Sequence, residues 1–413
     1  MRHGRSGLGG LVWRAPLLCG VLMVMEGLDS NVISFVGPLI ARERQIGTAA
    51  LAWVYVATVI CSLVGAAGIA PLSDRYGRRR LIIGSAVAMT VCTVATMLAQ
   101  SGPQLLLARG AVGLAFGAAV PCAMALTADY APPARRSLLV MIVIAGVALG
   151  YVVAGVASAV IIPAWGWRTL MQANAALSLL CTAALVTWLP KSRRLAGLGI
   201  QDIALPRPTE LLGHPFGRRT AVLLFLLVAT YAVEYLLSFW LPALLMRAGA
   251  SMALAGYVTA AAKAGSIVGG ILAGWLMDRL GRRSVLATSL CLGAAMLLLL
   301  SRCTGMPVAA LVAVVLVSFF VDASFSGSQA LAVGCYPERM RGTAMGWLTG
   351  IGRVVGGGLG TLSGGYFIAW GVGPVKVAML LAGSLLAAAL VLLALQRGTT
   401  IEAAPAEPSQ SQA

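Results

Sequence analysis

The sequence predicts an all-α membrane protein with twelve transmembrane helices, arranged as two pseudo-symmetric halves of six helices each. Apolar residues make up 59% of the 413 residues, and twelve spans of roughly 20 residues need a comparable share. Only 10% of the residues are charged, against roughly 25% in a soluble domain. A charged motif also recurs six spans apart. These observations exclude a soluble enzyme, a nucleic-acid-binding protein and a disulfide-rich secreted module.

Hydropathy and helix-breaking residues define the individual spans. The first six fall near 15–40, 51–72, 81–100, 104–127, 137–162 and 168–189. The second six fall near 220–246, 252–277, 284–301, 307–333, 343–369 and 374–396. The sequence therefore predicts a cytoplasmic amino terminus (1–14), an amino-terminal half (15–189), a cytoplasmic linker (190–219), a carboxyl-terminal half (220–396) and a disordered cytoplasmic tail (397–413).

The formal net charge of +17 is explained by topology. With both termini in the cytoplasm, most Lys and Arg residues fall on the cytoplasmic side, as the positive-inside rule requires. Arg2, Arg5 and Arg14 precede the first span and fix the amino terminus inside. The positive charge therefore indicates an orientation in the lipid bilayer, and we expect no nucleic-acid partner.

The composition gives no support for a signal peptide, a metal site or a disulfide framework. Glu26 and Asp29 interrupt the first apolar stretch, and no small-x-small cleavage site follows it, so we interpret this stretch as a retained span. The eight cysteines contain no C-x-x-C pair. His3 and His214 both lie outside the spans. We expect no cofactor and no metal.

The charged motif relates the two halves. Residues 70–79 read A-P-L-S-D-R-Y-G-R-R, and residues 274–283 read G-W-L-M-D-R-L-G-R-R. Because an even number of spans separates the copies, both halves have the same orientation, as in transporters with parallel repeats.

This doubled loop resembles the signature of the major facilitator superfamily, and the resemblance covers nearly the whole chain. Residues 26–29 read E-G-L-D and resemble the D-G-F-D signature of the aromatic acid/proton symporters; W-L-P at 240–242 and G-I-G-R at 350–353 also resemble that subfamily. The departures are Ala70 for Gly, Glu26 for Asp, Asp129 for Glu, Cys122 for Asn, Lys263 for Gln, and an added Glu234 and Asp322.

Ionisable residues inside spans are costly, and usually have a partner or a task. Glu26 and Asp29 share one helix face near mid-membrane, and two close carboxylates in a low dielectric favour binding of a proton. We interpret them as a proton-coupling pair; the alternative is a structural hydrogen-bonding pair. Arg109 lies on a face with Gly113 and Gly117, which let a neighbouring helix approach. The resemblance assigns Arg109 to proton coupling or conformational exchange, and a structural salt bridge is the alternative.

Arg353 and Lys263 are the candidates to hold a substrate carboxylate, since both lie near mid-depth. An ion pair between Lys263 and Glu234 is the alternative for that lysine. Two polar-aromatic faces could line a cavity or serve packing alone. They comprise Tyr231, Glu234, Tyr235 and Ser238 in span seven, and Asp322, Phe325, Ser326 and Gln329 in span ten. Tyr235 and Gln329 are the preferred substrate contacts, with Glu234 and Asp322 as further members of the predicted site.

A third set of charged residues lies in or near the predicted cytoplasmic loops and is expected to control opening of the inner gate through ion pairs and helix ends. Its members are Asp74, Arg75, Arg78, Asp129, Asp278, Arg279 and Arg282.

The resemblance implies a proton-coupled symporter of the bacterial inner membrane, working by alternating access as a monomer and not as an enzyme. The expected substrate is a small organic anion, an aromatic carboxylate such as a benzoate or hydroxybenzoate, with the proton as coupling ion. One alternative is a drug/proton antiporter of the same fold, which Glu234 and Asp322 favour and which Lys263 and Arg353 oppose. The other is a non-transporting nutrient sensor, although no signalling domain is visible.

Overall fold

The computed structural model describes residues 6–132, 135–190, 217–302, 307–336 and 338–396, and every regular element in these ranges is helical. The helices are α1 Ser6–Glu43, α2 Thr48–Val64, α3 Leu72–Tyr76, α4 Arg78–Leu98, α5 Gly102–Tyr130, α6 Arg136–Trp188, α7 Gly217–Arg247, α8 Met252–Leu280, α9 Arg282–Arg302, α10 Pro307–Gly334, α11 Glu338–Ile351, α12 Gly358–Ala369 and α13 Pro374–Gln396. Most of the predicted linker (191–216) and the whole predicted tail (397–413) lie outside the described residues.

Ten helical stretches in the described ranges are long and apolar enough to cross a membrane. One of them, Leu138–Trp188, has 51 residues and would measure about 75 Å, against about 30 Å of bilayer hydrocarbon. Gly166 interrupts it with a φ of 82°, between the predicted spans 137–162 and 168–189. The predicted count of twelve requires that α6 crosses twice and that α11 and α12 cross as one span, and this count stays a prediction.

Two helices continue through π-helical segments, in which each backbone N–H bonds one residue further back than in an α-helix. Gly65–Ile69 extends α2, and Gly352–Gly357 joins α11 to α12. The second segment contains Arg353, so the predicted anion-binding arginine lies where the regular α-helical hydrogen-bond ladder is interrupted.

The chain divides into two compact units. The first contains Met1–Gly199, Leu236–Ala264 and Thr361–Gly373, and the second contains Ile200–Tyr235, Gly265–Gly360 and Pro374–Ala413. The divisions fall inside α7, α8 and α12. Lys263 therefore belongs to the first unit and Arg353 to the second.

Close helix packing holds the first unit together. Helix α1 packs on α6, and α2 and α4 pack on α5. A Cβ atom at Gly113 or Gly117 would collide with the backbone carbonyl of Thr58 or Ser62 in α2. The prediction that these glycines of α5 let a neighbouring helix approach is therefore confirmed.

The second unit uses the same principle with aromatic partners. Helix α9 packs on α10 and α13. Glycines of the π-helical segment and of α12 face α7, where Gly356 contacts Tyr231 and Gly357 contacts Tyr235. An added Cβ at Gly357 would collide with the ring of Tyr235, and one at Gly356 with the carbonyl of Val228 and the Cβ of Tyr231. The glycines therefore fix how closely this segment lies against α7.

Candidate functional site

The carboxylate of Asp29 joins four helices of the first unit. Nη1 of Arg109 on α5 donates a hydrogen bond to Oδ2 at 2.7 Å. Thr93 Oγ1 on α4 and Asn174 Nδ2 on α6 each donate to Oδ1 at 2.9 Å. All four side chains are at most 2% exposed. The structure thus brings the predicted residues Asp29 and Arg109 into a buried ion pair whose anion is held by two further donors.

The sequence interpretation missed Thr93 and Asn174. The available signal was an amide and a hydroxyl inside apolar spans, where polar side chains seek partners on neighbouring helices. Glu26, the other predicted proton-coupling residue, lies one turn before Asp29 on α1 and is half-buried. Two further donors of Arg109, Nε and Nη2, make no hydrogen bond to any residue that the structure describes.

Lys263 contacts one polar and one aromatic side chain of the first unit. Its Nζ donates a hydrogen bond to Ser238 Oγ at 2.7 Å. The same nitrogen is 5.2 Å from the ring centroid of Tyr151, a geometry in which the ring face attracts the cation. Lys263 is only 8% exposed. Ser238 belongs to the predicted polar face of span seven, whereas Tyr151, an aromatic residue in span five, was not predicted.

In the second unit, the predicted faces of spans seven and ten meet through their rings. Tyr231 and Phe325 pack edge to face, with ring centroids 4.8 Å apart. The ring centroids of Tyr231 and Tyr235 are 5.9 Å apart. Arg353 is half-buried and lies next to Gly352, which itself faces the ring of Tyr231.

The remaining predicted substrate contacts are half-buried. Asp322 and Ser326 of α10 lie against Gly270 of α8, where an added Cβ would come within 2.8 Å of Asp322 Oδ2. Gln329 lies further along α10, and Glu234 lies on α7. The role of these residues as substrate contacts stays a prediction.

One charged cluster forms at the first copy of the repeated loop. Arg78 makes a salt bridge with Asp129 and a second hydrogen bond to the carbonyl of Ala125 at 3.1 Å. Arg79 donates to the carbonyls of Val186 and Leu189, at 2.6 and 2.7 Å. These contacts connect the start of α4 to the ends of α5 and α6.

The other predicted gating residues make simpler contacts. Arg75 lies over the ring of its neighbour Tyr76, at 5.6 Å, and Arg279 lies over Trp275, at 4.2 Å. Asp278, Arg279 and Arg282 are exposed. The side chain of Asp74 lies outside what the structure describes.

Another part of the first unit contains a cluster of three aromatic rings. Phe239 stacks on Tyr55 with centroids 4.9 Å apart, and Trp240 meets the same ring edge-on at 5.3 Å. The indole N–H of Trp240 donates to the carbonyl of Thr361 at 2.8 Å. The W-L-P motif therefore begins with a buried tryptophan that joins α7 to α2 and α12.

The family model described as Major Facilitator Superfamily matches residues 19–269 and 223–412. The chain belongs to the major facilitator superfamily. This confirms the predicted family and the all-α membrane fold class. Because members of this superfamily are transporters, it also supports the expectation of a transporter and not an enzyme.

Two curated relatives match over most of this superfamily member. The 4-hydroxybenzoate transporter PcaK of Pseudomonas putida is 30% identical over 405 residues, which cover 90% of each chain. The 3-(3-hydroxy-phenyl)propionate transporter of Escherichia coli (strain K12) is 31% identical over 389 residues, which cover 92% of each chain.

A solved structure shares the fold. It is a bacterial homolog of the human lysosomal transporter Spinster, in an inward-facing and occupied conformation. Its TM-score is 0.77 at 19% identity, and the match covers 95% of this chain and 98% of that chain.

Proposed function

We propose that this chain is a proton-coupled symporter that imports an aromatic carboxylate across the bacterial inner membrane by alternating access. The observation that carries the proposal is the likeness, over nine-tenths of each chain, to relatives named as transporters of hydroxylated aromatic acids. The proposal includes both termini in the cytoplasm, in agreement with the distribution of Lys and Arg, and a monomer as the working form.

The surroundings of Lys263 suit the carboxylate of such a substrate. A buried ammonium offers charge-assisted hydrogen bonds to an anion, and the hydroxyl of Ser238 is beside it. The ring of Tyr151 lies on the same cation and offers a surface on which an aromatic substrate could stack. Arg353, in the π-helical segment of the second unit, is the second candidate for the anion because its planar guanidinium can bind a carboxylate through two hydrogen bonds.

Asp29 and Glu26 are the proposed proton carriers. The bond between Arg109 and Asp29 is charge-assisted, and such bonds weaken when the carboxylate is neutralised. Binding of a proton to Asp29 would therefore loosen contacts that join α1 to α4, α5 and α6. In this proposal, proton binding is linked to helix rearrangement through the loosened ion pair.

The test measures binding and uptake of 4-hydroxybenzoate by purified protein in proteoliposomes. Removing a charge-assisted hydrogen bond from a desolvated anion costs about 1.5–3 kcal/mol, or roughly 10- to 150-fold in affinity. We expect the variant of whichever cation binds the carboxylate, Lys263→Gln or Arg353→Gln, to weaken binding of the acid by this factor and to change binding of 4-hydroxybenzamide far less. Lys376→Gln, at an exposed lysine of α13, is the matched control. Uptake should also require an inward proton gradient.

Two outcomes would contradict the proposal. Accumulation of the acid by the wild-type protein without a proton gradient or membrane potential would exclude symport with protons. Equal losses of acid and amide affinity in both variants would show that neither cation binds the carboxylate.

A further inference from the structure

We propose that Asn174, with help from Thr93, is a positioning residue that holds the carboxylate of Asp29 on Arg109 and sets the pH at which the transporter takes up its coupling proton. This inference rests on the proposed function, because it concerns the proton-coupling step. It assigns a task to two side chains that carry no charge and that the charged-residue pattern of the sequence did not indicate.

The geometry divides the carboxylate into two differently bound oxygens. Oδ2 accepts from Arg109, whereas Oδ1 accepts from Thr93 and from Asn174, each at 2.9 Å. Asp29 and its three partners are each at most 2% exposed. If Oδ1 loses one of its hydrogen bonds, the replacement has to come from inside a desolvated site. A hydrogen bond donated to a carboxylate favours the charged form over the protonated one. Both neutral donors therefore stabilise the charged form of Asp29, and a proton that binds the carboxylate does so against these two hydrogen bonds.

The two donors differ in what they offer after protonation. A protonated carboxyl is itself a donor and needs an acceptor. The hydroxyl of Thr93 can rotate and accept that bond, whereas Nδ2 of Asn174 can only donate. Thr93 can thus serve both forms of Asp29 by rotating one hydroxyl, whereas Asn174 has to turn its amide over to bring Oδ1, which has no hydrogen-bond partner among the described residues, to the new proton. Removing Asn174 should therefore have the larger effect on the pH dependence.

The other titratable or charged groups around this carboxylate are few. Arg109 approaches from α5, Cys92 from α4, and Glu26 lies one turn away on α1 itself. Tyr55 of α2 is within electrostatic reach of Arg109. From α6, the contact is the neutral amide of Asn174. Because the amide bears no charge, changing it leaves the charges of this cluster as they are.

The experiment compares Asn174→Leu and Thr93→Val with a matched control on the same pair of helices. Ser178 Oγ shares a 2.8 Å hydrogen bond with Thr90 Oγ1, which also joins α6 to α4 but does not touch Asp29. Ser178→Ala thus removes a part-buried hydrogen bond between two neutral side chains of the same two helices. Proteoliposomes are assayed for uptake of 4-hydroxybenzoate over a range of external pH, and for exchange of labelled against unlabelled substrate at equal pH.

Wild-type uptake should be high below a midpoint pH and fall above it, because the protonated form carries the proton inward. For Asn174→Leu we expect that midpoint about one pH unit higher, a roughly tenfold change in proton binding. Thr93→Val should shift it in the same direction by less, and Thr93→Ser should restore the wild-type midpoint. Ser178→Ala should keep the wild-type midpoint, and exchange should persist in all variants.

A midpoint in Asn174→Leu equal to that of wild type, or an equal shift in Ser178→Ala, would overturn the inference. If Asn174→Leu does not fold, the midpoints of Thr93→Val and Thr93→Ser decide instead. Infrared spectra of the protonated carboxyl stretch, assigned with Asp29→Asn, give a readout independent of transport. If wild-type uptake proves independent of protons, the proposed function fails, while an unchanged infrared titration in Asn174→Leu would refute only the positioning role.

Discussion

Breaking the buried ion pair should destabilise the protein by an amount that depends on which partner is removed. Removing one member of such a pair costs about 3–5 kcal/mol, because an uncompensated charge stays buried. Arg109→Met leaves Asp29 with its hydrogen bonds from Thr93 and Asn174, and a proton can neutralise it. Asp29→Leu leaves a guanidinium that is 1% exposed and cannot lose its charge. We therefore expect the loss in free energy of unfolding to lie near the upper end of this range for Asp29→Leu and near the lower end for Arg109→Met.

The double variant Asp29→Leu/Arg109→Met separates this reasoning from a simple loss of packing. Replacing a whole buried ion pair by apolar side chains is often neutral or stabilising, so the double variant should be more stable than Asp29→Leu alone. The assay is reversible unfolding in detergent, followed by tryptophan fluorescence at neutral and at acidic pH. Acid should reduce the loss in Arg109→Met, where a proton can neutralise the carboxylate, and not in Asp29→Leu. Equal losses in both single variants at both pH values, with no recovery in the double variant, would refute the argument.

Three further predictions concern gating and packing. Asp278→Asn, in the exposed second copy of the loop, should slow transport and leave equilibrium binding within a few-fold; a large loss of binding in folded protein would place this loop in the substrate site. Gly117→Leu should destabilise by at least about 1–3 kcal/mol through overpacking, whereas Gly84→Leu, with nothing within 4 Å of an added Cβ, should be tolerated in the same unfolding assay. A double-mutant cycle on Arg78 and Asp129 should give a coupling of about 1 kcal/mol or less, because both side chains are partly exposed (26% and 12%); a coupling of several kcal/mol would be inconsistent with that exposure.

The sequence predicted the charged centre of the first unit better than its neutral periphery. Asp29 and Arg109 stand out because charge is rare in apolar spans. Asn174 is uncharged and so was passed over, and Thr93 does not stand out because many hydroxyls in helices bond only to their own backbone, as Thr96 does. Deciding which polar side chain faces a carboxylate requires the rotation of each helix about its axis. Hydropathy does not specify that rotation when a span is apolar on all sides.

Helix ends were predicted well where breakers mark them and less well elsewhere. The last predicted span, 374–396, coincides with α13, which Pro374 begins. The predicted second span, 51–72, extends across the π-helical segment Gly65–Ile69. Nothing in the apolar pattern announces that segment, because a change from α to π hydrogen bonding leaves hydropathy almost unchanged. The same holds for Gly352–Gly357, and so for the exact direction in which Arg353 points.

The segment Gly352–Gly357 contains one residue more than an α-helical stretch in its place would contain. A π turn accommodates an inserted residue, and each residue of an α-helix turns the chain by about 100°. Deleting Val354 or Val355 would let this stretch relax into an α-helix, but would rotate Arg353 by about that angle relative to the residues of α12. The extra residue thus changes the rotation of the helix on one side of the segment relative to the other. It sets the direction of Arg353 and of the glycines that contact Tyr231 and Tyr235 independently of the residues of α12.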